Sequence, residues 1–260
     1  FRFYYTKSIN GVQMLEKKFI NIGSCGFRMD GWINLDKPSS HYSAWQSPID
    51  LEHDLMTLNP ICIRDECLDI AYTSHTIEHI SDEYVYHLFR ETHRILKKGG
   101  VFRITCPDID KCYEAYTNGN KEYISSWKKA YVPFRKLGIG EQFLFLFASY
   151  LSPFHKSEVE KYTEEQIREI FDTKSKFDAL TYFTTECQKY ADKLQKIYPG
   201  DHISWWGHNR LKDTLKEIGF RNIVSQEFCC SDTPELQGFD RHNDDNVEKL
   251  NHTLFLECTK

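Results

Sequence analysis

The 260-residue sequence lacks several signals that would place it in a common class of protein. None of its nine cysteines forms a Cys-x-x-Cys pair, and their odd number and irregular spacing do not suit a disulfide framework. The longest apolar run, Phe143 to Ala148, is far shorter than the ~20 residues of a membrane helix. No leader with a charged and then an apolar part is visible. We therefore expect reduced thiols and a cytoplasmic protein without a membrane span.

Three signals for nucleotide and nucleic-acid partners are also missing. Lys and Arg number 33 against 38 Asp and Glu, so the net charge of −5 offers no basic surplus for nucleic acid. The Gly-x-Gly-x-x-Gly pattern of nicotinamide and flavin sites is absent. A phosphate-binding Gly-x-x-x-x-Gly-Lys-Ser/Thr loop is absent as well. We expect neither a nucleic-acid partner nor a nucleoside triphosphate.

The composition is that of a globular chain rich in aromatic rings. Hydrophobic residues make up 40% and charged residues 27%, which excludes a disordered or collagen-like chain. Aromatic residues reach 15% and offer large rigid surfaces for a core, a partner or a flat ligand.

Short apolar runs ended by glycine, proline or aspartate predict a series of buried strands in the first half of the chain. An amphipathic helix follows the fourth run, with Ser81 as its N-cap and Gly99-Gly100 at its end. Strands joined by such a crossover helix pair in parallel. Near the C-terminus a helix ended by Gly219 precedes two strands that no helix separates, so we expect these two to pair antiparallel. The predicted strands are Phe19–Ile22, Trp32–Leu35, Ile49–Leu51, Leu68–Tyr72, Val101–Thr105, Phe220–Phe228 and Thr253–Cys258.

The middle of the chain has a different pattern. Between about 120 and 200 no strand pattern stands out, and Thr163 to Gln166 forms a capping box that opens a short helix. A second apolar stripe at helical spacing runs from Phe177 to Ile197 and stops at Pro199. We therefore expect residues 1–18 to be a lead-in, residues 19–118 and 202–260 to form the main domain, and residues 119–201 to be a helical insertion that caps the substrate.

Polar residues and glycines follow the predicted strands at the points where ligands bind to open parallel sheets. Gly23 to Gly26 would let a ligand approach the backbone closely. Asp36 can accept the hydroxyls of a ribose, and Asp54 can accept the amine of an adenine. Together with Ser74-His75, this order of features suits an adenosine with a zwitterionic tail.

Six motifs, in the order in which they occur along the chain, resemble those of a known family. The motifs resemble class I S-adenosylmethionine-dependent methyltransferases, and most closely their type-11 group. The resemblance covers residues 19–118 well and residues 202–260 more weakly. It implies a three-layer, Rossmann-like α/β fold whose seven-stranded sheet is mostly parallel with an antiparallel last strand. The motifs that carry it are Asn21-Ile-Gly-Ser-Cys-Gly-Phe27, Gly31-Trp-Ile-Asn-Leu-Asp36, His53-Asp-Leu55, Ser74-His-Thr-Ile-Glu-His-Ile80, Arg94 to Ile104 and Pro107-Asp108.

The resemblance implies S-adenosyl-L-methionine as cofactor and assigns roles to the matching positions. Asp36 would hold the ribose, and Asp54 with Leu55 would hold the adenine edge. The methionine part would lie against Gly23, Ser24 and Gly26, with its amino group at the backbone of Ser74 and His75. The sequence departs from the family pattern in two places: Asn21 stands where an acidic residue is usual, and only ten residues separate Gly26 from Asp36.

Methyl transfer depends mostly on positioning and the exclusion of water, but a hydroxyl acceptor would also benefit from a general base. His79 and His75 are the candidates for that base, because the pKa of histidine lies in the useful range. The alternative for His79 is that it packs at the helix start and fixes Glu78. The candidates for contact with the acceptor are Trp205, His208 and Arg210, together with His202 and Trp206, and core packing is an equal alternative for each tryptophan.

Two other functions stay open. The stretch from His75 to His79 spells His-x-x-Glu-His, the zinc pattern of one metalloprotease class, which needs both histidines on one helix. A catalytically inactive methyltransferase-like binding protein is the other alternative. We expect an active enzyme with a small-molecule or glycan-type acceptor and no metal, while the acceptor's identity and the oligomeric state lie beyond the sequence.

Overall fold

The structure, a computed structural model, describes residues 17–44, 46–128, 130–240 and 252–260. The described residues do not include residues 1–16, which are most of the predicted lead-in, or residues 241–251. The strands are β1 (Phe19–Ile22), β2 (Ile33–Asp36), β3 (Leu51–Glu52), β4 (Leu68–Ser74), β5 (Leu96–Pro107), β6 (Arg221–Ser225) and β7 (Thr253–Thr259). The α-helices are α1 (Asp82–Ile95), α2 (Ile109–Thr117), α3 (Lys121–Ser126), α4 (Val132–Lys136), α5 (Ile139–Phe145), α6 (Glu164–Thr173), α7 (Lys176–Gln188), α8 (Ala191–Leu194) and α9 (His208–Ile218).

The seven strands form one sheet in the order β3-β2-β1-β4-β5-β7-β6. Strands β1 to β5 pair in parallel, and β7 pairs antiparallel with both β5 and β6. The predicted fold class, with its mostly parallel sheet and antiparallel last strand, is therefore confirmed. Because strand order reverses at β1 and β4, their carboxyl ends open a crevice for a ligand.

A loop replaces the first crossover helix, and buried amide side chains hold it in place. Asn34 Oδ1 accepts from Met29 N at 2.8 Å, and Asn34 Nδ2 donates to Asp50 Oδ2 at 2.9 Å. Asn21 Nδ2 donates to Phe27 O at 2.7 Å. Asn21, which stands where the family usually has an acidic residue, thus helps to fix the loop between β1 and β2.

Helix α1 covers one face of the sheet with its predicted apolar stripe. Val85, Leu88 and Phe89 on this stripe are buried. The predicted helix end was wrong by several residues: α1 stops at Ile95, and Gly99-Gly100 lie inside β5. The β conformation extends across the glycines because Gly99 N donates to Lys260 O at 2.9 Å and Lys260 N donates to Gly100 O at 3.0 Å.

A second hydrophobic core, separate from that of the sheet, lies among helices α2 to α8. Its members run from Ile109 to Trp205 and include the buried rings of Phe134, Phe143 and Phe183. The predicted helical character of the middle region is confirmed, although the long stripe after Phe177 is divided between α7 and α8. Across the described ranges, no helix is long and apolar enough to cross a membrane.

Candidate active site

A cavity of about 1160 Å³ lies at the carboxyl ends of β1, β2 and β4. The loops after these strands form one wall. Residues 127–128 and 191–202, which belong to or adjoin the helical region, form the other. The predicted cofactor and catalytic positions all border this cavity, namely Gly23, Ser24, Gly26, Asp36, Asp54, Leu55, Ser74, His75 and His79.

The turn after β1 packs closely against the turn after β4. Gly23 has a φ of +72°, and a Cβ atom at this position would lie 2.4 Å from Thr76 Oγ1. Gly23 N and Ser24 N both donate to Leu35 O, at 2.9 and 3.1 Å. The buried Ser24 Oγ has no hydrogen-bond partner among the residues that the structure describes. A polar ligand atom in the cavity would satisfy this hydroxyl.

Backbone donors hold Asp36 at the end of β2. Its Oδ2 accepts from Cys25 N at 2.6 Å, and its Oδ1 accepts from Lys37 N at 2.7 Å. Burial raises the pKa of Asp36 above its ordinary value, and these two hydrogen bonds only partly oppose that rise. Each carboxylate oxygen can accept a further hydrogen bond, so the pinned carboxylate is a suitable acceptor for hydroxyl groups.

Asp54, after β3, already has partners. Lys37 Nζ lies 2.5 Å from Asp54 Oδ2, and Met56 N donates to Asp54 Oδ1 at 3.0 Å. The Asp54 side chain is about one-third exposed. It borders the cavity together with Leu55.

The end of β4 is tied to β5 through Thr105. Thr105 Oγ1 donates to Ser74 Oγ at 2.7 Å, and His75 N donates to Thr105 O at 2.9 Å. His75 has a φ of +47°, a conformation that is uncommon outside glycine and that clusters at functional positions. The turn at His75 leads into the 3₁₀ helix Ile77–His79, which carries His79.

Glu78 lies buried among histidines on the 3₁₀ turn Ile77–His79. Its Oε1 is 3.2 Å from His75 Nδ1 and 3.7 Å from His79 Nε2, and the residue is 2% exposed. Burial alone would raise the pKa of Glu78, but contact with His75 and the charges of His79 and His202 lower it to about 2. Burial, together with His79, lowers the pKa of His202 to about 4. The site therefore contains a buried carboxylate beside imidazole rings.

The chain before α9 is attached to this turn by hydrogen bonds to the backbone carbonyl oxygens of Glu78 and His79. Ile203 N and Ser204 N both donate to Glu78 O, at 2.8 and 3.2 Å. Gln195 Nε2 donates to His79 O at 2.5 Å. These bonds bring His202 to His79, with a distance of 4.8 Å between the ring centroids.

The predicted acceptor residues Trp205, His208 and Arg210 do not border this cavity. The Arg210 guanidinium stacks on both Trp205 and Trp206, and its Nη2 lies 2.5 Å from Asp82 Oδ2. His208 is the first residue of α9, and its Nδ1 lies 2.8 Å from Ser225 Oγ in β6. Arg210 therefore joins α9 to α1, His208 joins α9 to β6, and Trp205 belongs to the second core. Of the predicted group only His202 reaches the cavity.

The geometry required by the metalloprotease alternative is absent from the described residues around His75. His75 lies in the left-handed turn, whereas Glu78 and His79 lie on the three-residue 3₁₀ helix Ile77–His79. The two histidines therefore do not share one turn of an α-helix, as that zinc pattern needs.

Several cavity residues were not predicted from the sequence. Trp127 and Lys128 border the cavity just after α3, and Gln195 and Lys196 border it just after α8. Tyr42 lies on the opposite wall, and a Cβ atom at Gly200 would be 3.0 Å from its hydroxyl oxygen. An aromatic residue next to a lysine at 127–128 is a weak signal, and no spacing in the sequence relates it to Gly23 or Asp36.

Comparisons with known proteins found one family match and several similar solved structures. Residues 36–104 match the family model of a methyltransferase domain. No curated protein matches the sequence. Similar solved structures include S-adenosylmethionine-dependent methyltransferases of three organisms. That of Thermotoga maritima is 15% identical, with coverage of 94% of this chain and 82% of the other, and a TM-score of 0.41. That of Archaeoglobus fulgidus is 14% identical, with coverage of 93% and 85% and a TM-score of 0.42. That of Mesorhizobium loti is 15% identical, with coverage of 94% and 90% and a TM-score of 0.44.

The mostly parallel seven-stranded sheet and its antiparallel last strand were predicted from the sequence and are observed. The family match runs from the last residue of β2 into β5 and includes the turn that holds His75 and His79. Residues 36–104 therefore match a methyltransferase domain, as the sequence motifs predicted.

Proposed function

We propose that the protein transfers the methyl group of S-adenosylmethionine to a small-molecule or glycan-type acceptor, with both molecules bound in the one cavity. The observation that carries this proposal is the two-sided cavity of about 1160 Å³. Pockets for one small ligand usually measure ~300–1000 Å³, so this cavity has room for a cofactor and an acceptor side by side.

The wall formed by the sheet suits the cofactor. The carboxylate of Asp36, pinned by Cys25 N and Lys37 N, would accept the ribose hydroxyls. The unpaired Ser24 Oγ, together with the backbone of Gly23 and Gly26, would line the methionine part. When bound, the cofactor supplies an activated methyl group on a sulfonium centre.

Two further strand ends would complete the cofactor wall. Asp54 and Leu55 would meet the adenine edge, and the backbone of Ser74 and His75 would meet the amino group. Their positions along the cavity support these roles. The acidic side chains and backbone carbonyl groups at these strand ends are suitable partners for amine and ammonium donors.

The opposite wall suits the acceptor, and we propose that residues 119–201 act as its cap. Trp127 offers a flat apolar face, while Lys128, Gln195 and Lys196 offer polar groups around it. A sugar ring or another planar, hydroxylated molecule needs that combination of stacking and hydrogen bonding. The cap would also exclude water from the transferring methyl group.

His75 and His79 are the candidates for the proton acceptor if the acceptor is a hydroxyl group. His75 Nδ1 faces Glu78 Oε1 at 3.2 Å, so the buried carboxylate would orient the ring and stabilise its charged form. His79 Nδ1 lies 3.1 Å from Asp201 O, and the other ring nitrogen, Nε2, lies 3.7 Å from Glu78 Oε1. A base held by a second group in this way is the usual arrangement for proton abstraction.

Calorimetric titration with S-adenosylhomocysteine tests the cofactor half. We expect the unchanged protein to bind, and Asp36→Asn to bind at least ~10-fold more weakly, a loss of about 1.4 kcal/mol. Asp30→Asn is the matched control, because Asp30 is exposed in the loop before β2 and does not border the cavity. Equal affinity in the unchanged protein and Asp36→Asn would remove the proposed role of Asp36.

A screen with methyl-labelled cofactor tests the acceptor half. Candidate hydroxyl compounds and glycans are offered to the protein, and label transfer is measured. We expect transfer to at least one member of these classes and none when the protein is heat-denatured. Binding of S-adenosylhomocysteine without transfer to any acceptor would instead support the inactive binding protein considered in the sequence analysis.

A further inference from the structure

Three cavity side chains from distant parts of the sequence bring potential metal ligands together. Glu78, His79 and His202 each place one ligand atom within 4.8 Å of the others. All three residues border the cavity, Glu78 and His79 on the turn after β4 and His202 on the opposite wall. Their backbone is joined by the hydrogen bonds of Ile203 and Ser204 to Glu78 O, so the group belongs to an ordered part of the fold.

Both imidazole rings are oriented by backbone carbonyl groups. His79 Nδ1 lies 3.1 Å from Asp201 O, and His202 Nδ1 lies 2.7 Å from Leu146 O. A carbonyl oxygen can only accept, so Nδ1 carries the hydrogen in each ring and Nε2 carries the lone pair. Metal-binding histidines are usually fixed in this way by a hydrogen bond from the other ring nitrogen.

Glu78 supplies a buried carboxylate that the protein does not satisfy. The residue is 2% exposed, and neither carboxylate oxygen has a well-aligned hydrogen bond within the described residues. His75 Nδ1 approaches Oε1 at 3.2 Å, which leaves Oε2 with no partner. A buried charge without partners is costly, and coordination of a metal is one of the ways in which proteins compensate it.

The distances are close to those of a coordination site. Two ligand atoms at ~2.1 Å from a tetrahedral Zn²⁺ lie about 3.4 Å apart. His79 Nε2 and Glu78 Oε1 are 3.7 Å apart, and the widest separation in the group is at most 4.8 Å. Small side-chain rotations would bring the three atoms to bonding distance. The remaining position would face the cavity, as in metal sites that bind a water or a substrate.

We propose that Glu78, His79 and His202 bind one divalent cation of the Zn²⁺ class, with an open position toward the acceptor wall. This metal site differs from the His75-x-x-Glu78-His79 pattern, because His202 replaces His75 as a ligand. It also departs from the sequence expectation that the protein needs no metal. If the proposed methyl transfer is correct, the cation would bind an oxygen atom of the acceptor, and His75 would remain as the candidate base.

Titration of the chelator-treated protein with Co²⁺ tests this site. We expect one equivalent to bind in calorimetry and in visible absorbance, with at least 10-fold weaker binding in His202→Asn and in Glu78→Gln. His202→Asn is a sharp variant because the amide nitrogen of Asn can still donate to Leu146 O, whereas the ligand Nε2 is lost. Co²⁺ also exposes binding to the nine free cysteines, because thiolate ligands give it an intense near-ultraviolet charge-transfer band.

His53→Asn is the matched control, since His53 borders the same cavity but is not among the three ligands. We expect His53→Asn to bind Co²⁺ as the unchanged protein does. Thermal melting without metal confirms that each variant folds; if Glu78→Gln does not fold, His202→Asn and His79→Asn decide the outcome.

Three results would overturn the proposal: no Co²⁺ binding by the unchanged protein, binding with thiolate bands only, or equal affinity in the unchanged protein and the folded histidine variants. The titration with S-adenosylhomocysteine is independent of the metal. Failure of this metal site is therefore distinguishable from failure of the proposed methyl transfer.

Discussion

The contact between Gly23 and Thr76 allows a quantitative test of how the cofactor wall is built. Gly23→Ala would force a side chain into a backbone conformation with φ of +72° and place its Cβ 2.4 Å from Thr76 Oγ1. Gly119→Ala is a matched comparison, because Gly119 has a φ of +69° and a Cβ there would meet nothing within 4 Å. The two substitutions therefore share the backbone strain and differ in the steric overlap.

The expected magnitudes follow from those two contributions. A left-handed conformation costs a residue with a Cβ about 1–2 kcal/mol. The lower conformational entropy of the unfolded chain with alanine offsets ~0.4–1 kcal/mol of that cost. We therefore expect Gly119→Ala to lower the free energy of unfolding by about 1 kcal/mol. Overlap in a packed region adds ~1–3 kcal/mol, so Gly23→Ala should lower it by about 3 kcal/mol. For a chain of this size, the melting temperature should fall by roughly 6–12 °C for Gly23→Ala.

Urea unfolding and thermal melting measure these differences. Adding Thr76→Ala to Gly23→Ala removes the two nearest atoms of the overlap, Oγ1 and Cγ2, and leaves Cβ at 3.1 Å. We expect the second substitution to restore most of the steric part of the loss, which a double-mutant cycle reports directly. The reasoning is refuted if Gly23→Ala costs no more than Gly119→Ala, or if Thr76→Ala brings no recovery.

Two other predictions concern charged groups beneath the site. Burial would raise the pKa of Asp50, but hydrogen bonds from Arg28, Asn34 and Lys17 lower it below its ordinary value. The stabilisation by Asp50 is therefore present above pH ~4 and is lost as the pH falls further, so unfolding free energies of the unchanged protein and Asp50→Asn should converge in acid. Arg103 is fully buried between Asp240 and Glu257. Arg103→Met should cost about 3–5 kcal/mol in urea unfolding because it leaves two buried carboxylates without the positive charge that Arg103 supplies, and a cost under ~1 kcal/mol would contradict this.

The local parts of the fold could be predicted because their signals lie within a few residues of each other. The run Phe19–Ile22 followed by Gly23 became β1 and its turn, and Gly219, with a φ of +117°, ends α9 as predicted. The end of α1 was misplaced because Gly99-Gly100 resemble a helix stop. Their backbone conformation is set by pairing with Lys260, which is distant in the sequence.

The acceptor wall was harder to predict because long-range contacts assemble it. Arg210 and Trp205 look like binding residues in the sequence, yet stacking and the ion pair with Asp82 use them between helices. Trp127 reaches the cavity because the second core positions the end of α3, and no local pattern encodes that core's orientation. Composition and periodicity identify which side chains are buried, but not which helices they join.

The hydrogen bonds around Glu78 indicate which part of the acceptor wall is free to vary. The hydrogen bonds from Ile203 N and Ser204 N to Glu78 O hold the backbone next to His202 against the turn that follows β4. This anchor keeps the carboxylate and the imidazole rings fixed relative to the cofactor wall. Among the described bonds, residues 127–128 have no such attachment to the turn after β4, and residues 191–200 are joined to it through the side chain of Gln195. Changes of acceptor should therefore follow substitutions on these two stretches, whereas substitutions at Glu78 or His202 should affect every acceptor alike.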